Sequence, residues 1–246
     1  RRGGRRIALA QPGAVAFDAG RLTVSGVALA IDRGRLDLDG QILPALDLKA
    51  DARALPLAAL DIVAPGLGLG GTLTAQARLS GPPSAPAGGW SATIAGFTHP
   101  QMRAQGLPPA QIAAQGDLAR GATTIRATVD AGRIGRFRID GDVPIQERGA
   151  LDLRIAGRGD LAFLNARLAA AGQRVSGLAD VDIQLRGTLG APEVAGGVRL
   201  SGGGVSDAES GFRLTGVAGQ IEASGRSLLI RSLSGQTRNG GRVTIA

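Results

Sequence analysis

Apolar and polar residues alternate in short runs along the whole chain. From Thr72 to Leu79, the positions Leu73, Ala75, Ala77 and Leu79 are apolar, while Thr72, Thr74, Gln76 and Arg78 are polar. Val181, Ile183 and Leu185 oppose Asp180, Asp182, Gln184 and Arg186 in the same way. A period of two places alternate side chains on opposite faces of a β-strand, so each run predicts one oily and one wet face. Further strands are predicted at Leu36 to Asp39, Leu46 to Ala50, Trp90 to Ile94, Ile125 to Val129, Arg133 to Ile139 and Leu151 to Ile155. The last of them fall at Val198 to Leu200, Gly211 to Leu214, Leu228 to Ile230 and Val243 to Ile245.

Turn chemistry separates the runs. Asp32-Arg33-Gly34-Arg35, Asp130-Ala131-Gly132-Arg133 and Asp140-Gly141-Asp142 suit tight connections with a glycine at positive φ. Pro83, Pro86 and Pro192 cannot donate to a ladder and mark strand ends or edges. Two short helices are expected, around Pro56 to Val63 and Ala162 to Ala171, capping one end of the sheet.

One unit occurs twice, 105 to 106 residues apart. Leu46-Asp47-Leu48-Lys49 returns as Leu151-Asp152-Leu153-Arg154, and Leu55 to Leu60 returns as Leu161 to Ala166. The strand from Gly71 to Gly81 matches that from Gly177 to Gly187, and both run on to an Ala-Pro corner at Ala85-Pro86 and Ala191-Pro192. A weaker match joins Gln111 to Gly116 with Gln220 to Gly225. Repeats of strands and corners build arrays in which each unit buries its apolar face against its neighbours. The expected fold is therefore all-β: an elongated, repeat-built, curled sheet with one or two short capping helices. It divides into a unit at 1–145 and a second at 146–246 that continues the same sheet.

Composition sharpens this picture. The 40 glycines and 12 prolines sit between apolar runs rather than in a block, so they read as corners and not as disorder. The apolar residues are aliphatic, with five Phe, one Trp and no Tyr, which leaves no aromatic platform for stacking nucleic-acid bases. The formal charge of +8 rests on arginines dispersed through strands, which reads as a solvated face and not a nucleic-acid stripe. Without cysteine there is no disulfide or thiol chemistry, and with His99 alone a multi-histidine metal site is excluded within one chain. No run reaches the length of about 20 apolar residues that spans a bilayer, and the sequence reads as a piece of a longer protein.

Several motifs tempt. Gly66-Leu67-Gly68-Leu69-Gly70-Gly71 satisfies the dinucleotide fingerprint but is expected to lie between a helix and a strand, the reverse of what pyrophosphate binding needs. Arg158-Gly159-Asp160 matches an adhesion tripeptide, where the first copy reads Ala52-Arg53-Ala54. His99 is expected in a solvated loop, and Asp180 with Asp182 on an exposed polar stripe at ordinary acidity. No serine stands in a nucleophile elbow. The sequence predicts no enzyme, no cofactor and no metal.

The Leu-x-Gly corner leading to Ala-Pro, the phrases Ile7-Ala8-Leu9-Ala10-Gln11-Pro12-Gly13 and Gly34-Arg35-Leu36-Asp37-Leu38-Asp39-Gly40, and the ending Leu233 to Ile245 resemble the TamB family. These are the inner-membrane-anchored components of the translocation and assembly module, relatives of AsmA-like and bridge-like lipid-transfer proteins. The resemblance covers the whole chain as a middle-region fragment, and each phrase is degenerate, so order and repetition carry it. It implies a periplasmic, open β-gutter in a longer protein anchored in the inner membrane. It further implies a conduit for phospholipids between the inner and outer membranes, support of outer-membrane protein assembly and secretion, and a TamA-like barrel partner reached through other regions.

Alternation alone leaves two uses of the apolar face open: a closed core beneath a second sheet, or a groove that holds phospholipid acyl chains. The resemblance favours the groove. Roughly 16 strands about 4.8 Å apart would line on the order of 75 Å of it. Its candidate wall comprises Leu36, Leu38, Leu46, Leu48, Leu73, Leu79, Ile94, Ile125, Val129 and Leu151. Leu153, Ile155, Val181, Ile183, Leu185, Val198, Leu200, Leu228 and Ile230 complete it. The alternative is a structural or chaperone-like β scaffold that takes unfolded strands at its edges without conducting lipid.

Overall fold

A computed structural model describes residues 7–62, 66–225 and 227–245. The described residues form one curled, unclosed antiparallel sheet of 16 strands with a few short helices. The strands are β1 (Ile7–Gln11), β2 (Ala14–Asp18), β3 (Arg21–Ile31), β4 (Gly34–Leu43), β5 (Leu46–Pro56), β6 (Gly70–Gly81), β7 (Ala87–Thr98) and β8 (Ala110–Ala119). They continue with β9 (Ala122–Asp130), β10 (Gly135–Pro144), β11 (Leu151–Asp160), β12 (Gln173–Thr188), β13 (Ala191–Asp207), β14 (Arg213–Gly225), β15 (Ser227–Thr237) and β16 (Arg242–Ile245). From β3 onward each strand pairs with the next in sequence, while β1 and β2 share the outer side of β3. The sheet runs unbroken through residue 145, since β10 and β11 are hydrogen-bonded neighbours.

Because every connection reverses direction, the two ends of the sheet differ. Tight turns close one end. The other carries the 3-10 helix Leu57–Ile62, the helix α1 (Pro100–Ala104), a 3-10 turn at Gly132–Ile134 and the helical run Leu161–Ala171. Both expected helices are present. The Pro56 to Val63 expectation reaches Val63, which lies outside the described residues. Helix α1 was not expected; Pro100 fixes its first turn and the His99 imidazole Nδ1 accepts the Gln101 N–H at 3.3 Å. His99 is thus a helix cap and not a free loop histidine.

The repeat shows in backbone geometry. Gly71 and Gly177 have φ of +117° and +121°, and Gly81 and Gly187 have +94° and +99°. The hairpin turns Ala19-Gly20 and Arg120-Gly121 each place both central residues at positive φ, so β2–β3 and β8–β9 are matching hairpins. The repeat therefore reaches further upstream than its sequence signature.

Two turn expectations and two strand starts need correction. Asp140-Gly141-Asp142 lies inside β10, where Gly141 stands opposite Leu153 and its α-carbon backs onto the Asp152 carbonyl. At Asp32-Arg33-Gly34 the positive φ belongs to Asp32, while Gly34 is buried against the Ala54 carbonyl. The strands expected from Arg133 and from Gly211 start two residues later, at Gly135 and Arg213.

Candidate apolar groove

The register brings the aliphatic positions onto one face. Leu36, Ala52, Ala75, Ala92, Ala114 and Ala127 stand side by side across successive strands. The same row continues through Ile139, Ile155, Ile183, Gly196 and Ala223 to the position of Leu228. The Leu228 side chain itself lies outside the described residues. A second row runs Leu73, Ile94, Ile112, Val129, Phe137, Gly157, Val181, Val198, Ile221 and Ile230. A third passes from Leu38 through Trp90 and Ile125 to Leu153 and Leu185. Leu48 faces Leu79, Leu46 faces Gly81, Leu151 faces Gly187, and Leu200 faces Ala179 on that same side. Every candidate wall position falls on this face.

Register also adds members that alternation in single strands left out. Ile112, Phe137, Ile139 and Ile221 belong to the same rows. The signal for Ile112 and Ile221 was present in the weak match of Gln111 to Gly116 with Gln220 to Gly225. The aromatics sit over glycines: a Cβ on Gly157 would meet Phe137 Cδ1 at 2.6 Å, and one on Gly116 would meet Trp90 Cε2 at 3.0 Å. Each ring therefore lies across the neighbouring strand, and Trp90 Nε1 donates to Thr123 Oγ1 on β9 at 2.8 Å.

No second layer covers this face among the described residues. Among the described residues, the substantial contacts between elements join adjacent strands, or a strand end with the helical segments beside it. No large side chain among the described residues is fully buried, and the buried apolar residues are mostly alanines. In a close-packed sandwich the central Leu and Ile would be sealed. Here Leu151 is 6% exposed, most other wall residues are half-buried, and Ile230 is 48% exposed.

The opposite face is a lattice of charges. Arg154 grips Asp182 with two bonds of 2.8 and 2.7 Å, and Arg158 meets Asp180 directly across the β11–β12 ladder at 2.6 Å. Arg136–Asp130 and Arg231–Glu222 repeat the pattern at 2.6 and 2.7 Å. The Arg154 guanidinium holds the Asp182 carboxyl below the ordinary range, which corrects the expectation of ordinary acidity there. Arg136 and the Gly132 N–H do the same for Asp130. A hollow of about 980 Å³ on this face is lined by Arg154, Arg158 and Arg199 together with Asp180, Asp182 and Glu222, so charges of both signs compensate within it.

The tempting motifs have structural uses. Gly68 N–H donates to Asp61 at 3.0 Å and its carbonyl accepts from Arg103 at 3.2 Å, which braces the loop before β6. Arg158-Gly159-Asp160 ends β11, with Arg158 paired, Gly159 buried and Asp160 capping Ala162 N–H at 2.8 Å. Among the described residues no cluster of three metal-ligating side chains occurs, and no helix is long and apolar enough to cross a membrane. Comparisons with protein-family models, with curated proteins and with solved structures found no match.

Proposed function

We propose that this chain is a segment of a hydrophobic conduit that holds phospholipid acyl chains and passes them between the inner and outer membranes of a bacterial envelope. The observation that carries the reading is the aliphatic face, laterally continuous from β4 to β15 and without a second layer among the described residues. An apolar surface of this extent is costly in water unless something covers it. Acyl chains fit because they ask for apolar area and no directional bonds, with burial worth about 0.8 kcal/mol per CH₂. A wall of Leu, Ile, Val and Ala offers no polar anchor, so a chain can slide along it. In this proposal the conduit lies in the periplasm within a longer, inner-membrane-anchored protein that works beside a TamA-like barrel in outer-membrane biogenesis.

A scaffold for unfolded outer-membrane strands is the second reading. It draws on the outer edge at β1 and β2, where Leu9, Val15 and Phe17 are 65%, 66% and 70% exposed. Mass spectrometry of organic extracts from the purified protein separates the two. The conduit predicts co-purifying phospholipid that is depleted in Leu153→Asp and Ile183→Asp, with both variants still folded because their side chains meet an open groove. A lipid-free wild type that captures unfolded strand peptides would leave the scaffold reading standing.

A further inference from the structure

The helix-bearing ends of β12, β13 and β14 depart from the regular ladder together. Each strand carries a bulge at the same level: at Gly177 in β12, at Gly202 in β13 and at Gly216 in β14, with φ of +121°, +58° and +60°. The first repeat has counterparts of the first two at Gly71 and Gly96, with φ of +117° and +66°. There β7 stops at Thr98, two residues past Gly96, whereas β13 runs on from Gly202 to Asp207. Bulges bend and twist a sheet. The additional strand length beyond these bends lines a partly open pocket of about 210 Å³, which meets the groove wall at Leu200.

Its lining is mostly aliphatic, with Ser176 and Ser234 as the polar members. Val175, Val205, Leu214, Val217 and Leu233 form the walls, and Leu161 leans in from the helical run after β11. Gly203 and Gly235 are buried and keep the space open; a Cβ on Gly203 would lie 2.8 Å from the Val217 carbonyl oxygen, and one on Gly235 3.3 Å from Val217 Cγ2. The repeat supplies a contrast. Leu57 in the first unit is 5% exposed, while its counterpart Phe163 is 36% exposed. The larger residue of the second unit is turned toward solvent.

We propose that this cavity is a discrete hydrocarbon subsite that takes the terminal segment of one acyl chain. Apolar cavities of about 150 Å³ accept apolar ligands, and this partly open pocket is of that order with no charged residue in its wall. A headgroup has no cation to meet there, so the methyl end enters first. The inference rests on the reading of the apolar face as an acyl-chain groove: it adds a resting point beside the sliding wall.

Dodecanoate carrying a ¹³C-labelled terminal methyl is the probe, titrated into methyl-labelled protein and followed by NMR. The expected result is saturable binding with contacts from the probe methyl to Val205, Leu214 and Val217. Val205→Phe and Leu214→Phe fill the cavity, and each should weaken this binding about tenfold or more, as the loss of two or more buried methylenes would. Arg167→Gln, exposed and outside both the groove wall and the cavity, should leave the contacts in place. Contacts spread evenly along the wall, with none at Val217, would overturn the subsite even where the wild type carries phospholipid. Contacts at Val217 in a protein that never retains phospholipid would uphold the subsite and defeat the conduit. Should a Phe variant misfold, the wild-type contact pattern decides.

Discussion

At the scale of single residues, glycines and charge pairs carry different burdens. Gly40 and Gly141 hold equivalent places, each opposite a wall leucine and each backed against an aspartate carbonyl. With φ of +134° and +140°, neither site suits a side chain sterically or conformationally. Gly141→Val is expected to destabilise the sheet by roughly 1–3 kcal/mol, read as a lower midpoint in a urea titration. The ion pairs act through pH. Asp130 and Asp182 have carboxyls held below their ordinary range by Arg136 and Arg154. Their contribution is fully present above the unfolded pKa of about 3.9 and is lost as pH falls through the lowered folded values. An acid titration should therefore show the urea midpoint falling below about pH 4. Arg154→Gln should make that fall shallower, because Asp182 then titrates nearer its unfolded value.

Elements were legible where the two-residue period was intact and obscure where geometry broke it. Thr72 to Leu79 and Asp180 to Leu185 keep strict alternation, and β6 and β12 include them. Strand β3 is hidden in the sequence because Gly26, at φ +60°, inserts a bulge between Val24 and Val27 and shifts the apolar phase by one. Strand β8 was faint for another reason: Ala110 to Ala119 is rich in alanine, so its two faces differ little in hydropathy. Which residues share the apolar face was legible strand by strand, but which stand beside one another needed the register. The hairpins add a testable asymmetry. Both residues of a type I′ turn take positive φ, which Asn and Gly tolerate and arginine resists. Arg120 sits there at +51° ahead of Gly121. Arg120→Asn should raise stability by about 0.5–1 kcal/mol, seen as a higher urea midpoint with unchanged slope.

The whole molecule is held by neighbour-to-neighbour pairing, and this ties its stability to its proposed use. A sheet without a second layer gains little from a sealed core, so its aliphatic face can be wetted or covered without the fold being rebuilt. Trp90 makes that face observable. It is the sole tryptophan, it lies on the apolar side across Gly116, and its indole N–H is satisfied by Thr123. If acyl chains occupy the groove, phospholipid brominated on its chains should quench Trp90 emission on binding, while the same lipid brominated at its headgroup should quench far less. Leu153→Asp, in the same row as Trp90 but several strands away, should reduce the quenching by obstructing passage and not by moving the indole. Thr123→Val provides the internal control. It frees the indole at a cost of about 1 kcal/mol in stability and changes the emission without touching lipid uptake. Equal quenching by chain- and headgroup-brominated lipid would mean that lipid meets the molecule from outside the groove, and the conduit reading would then fail at the scale on which it is made.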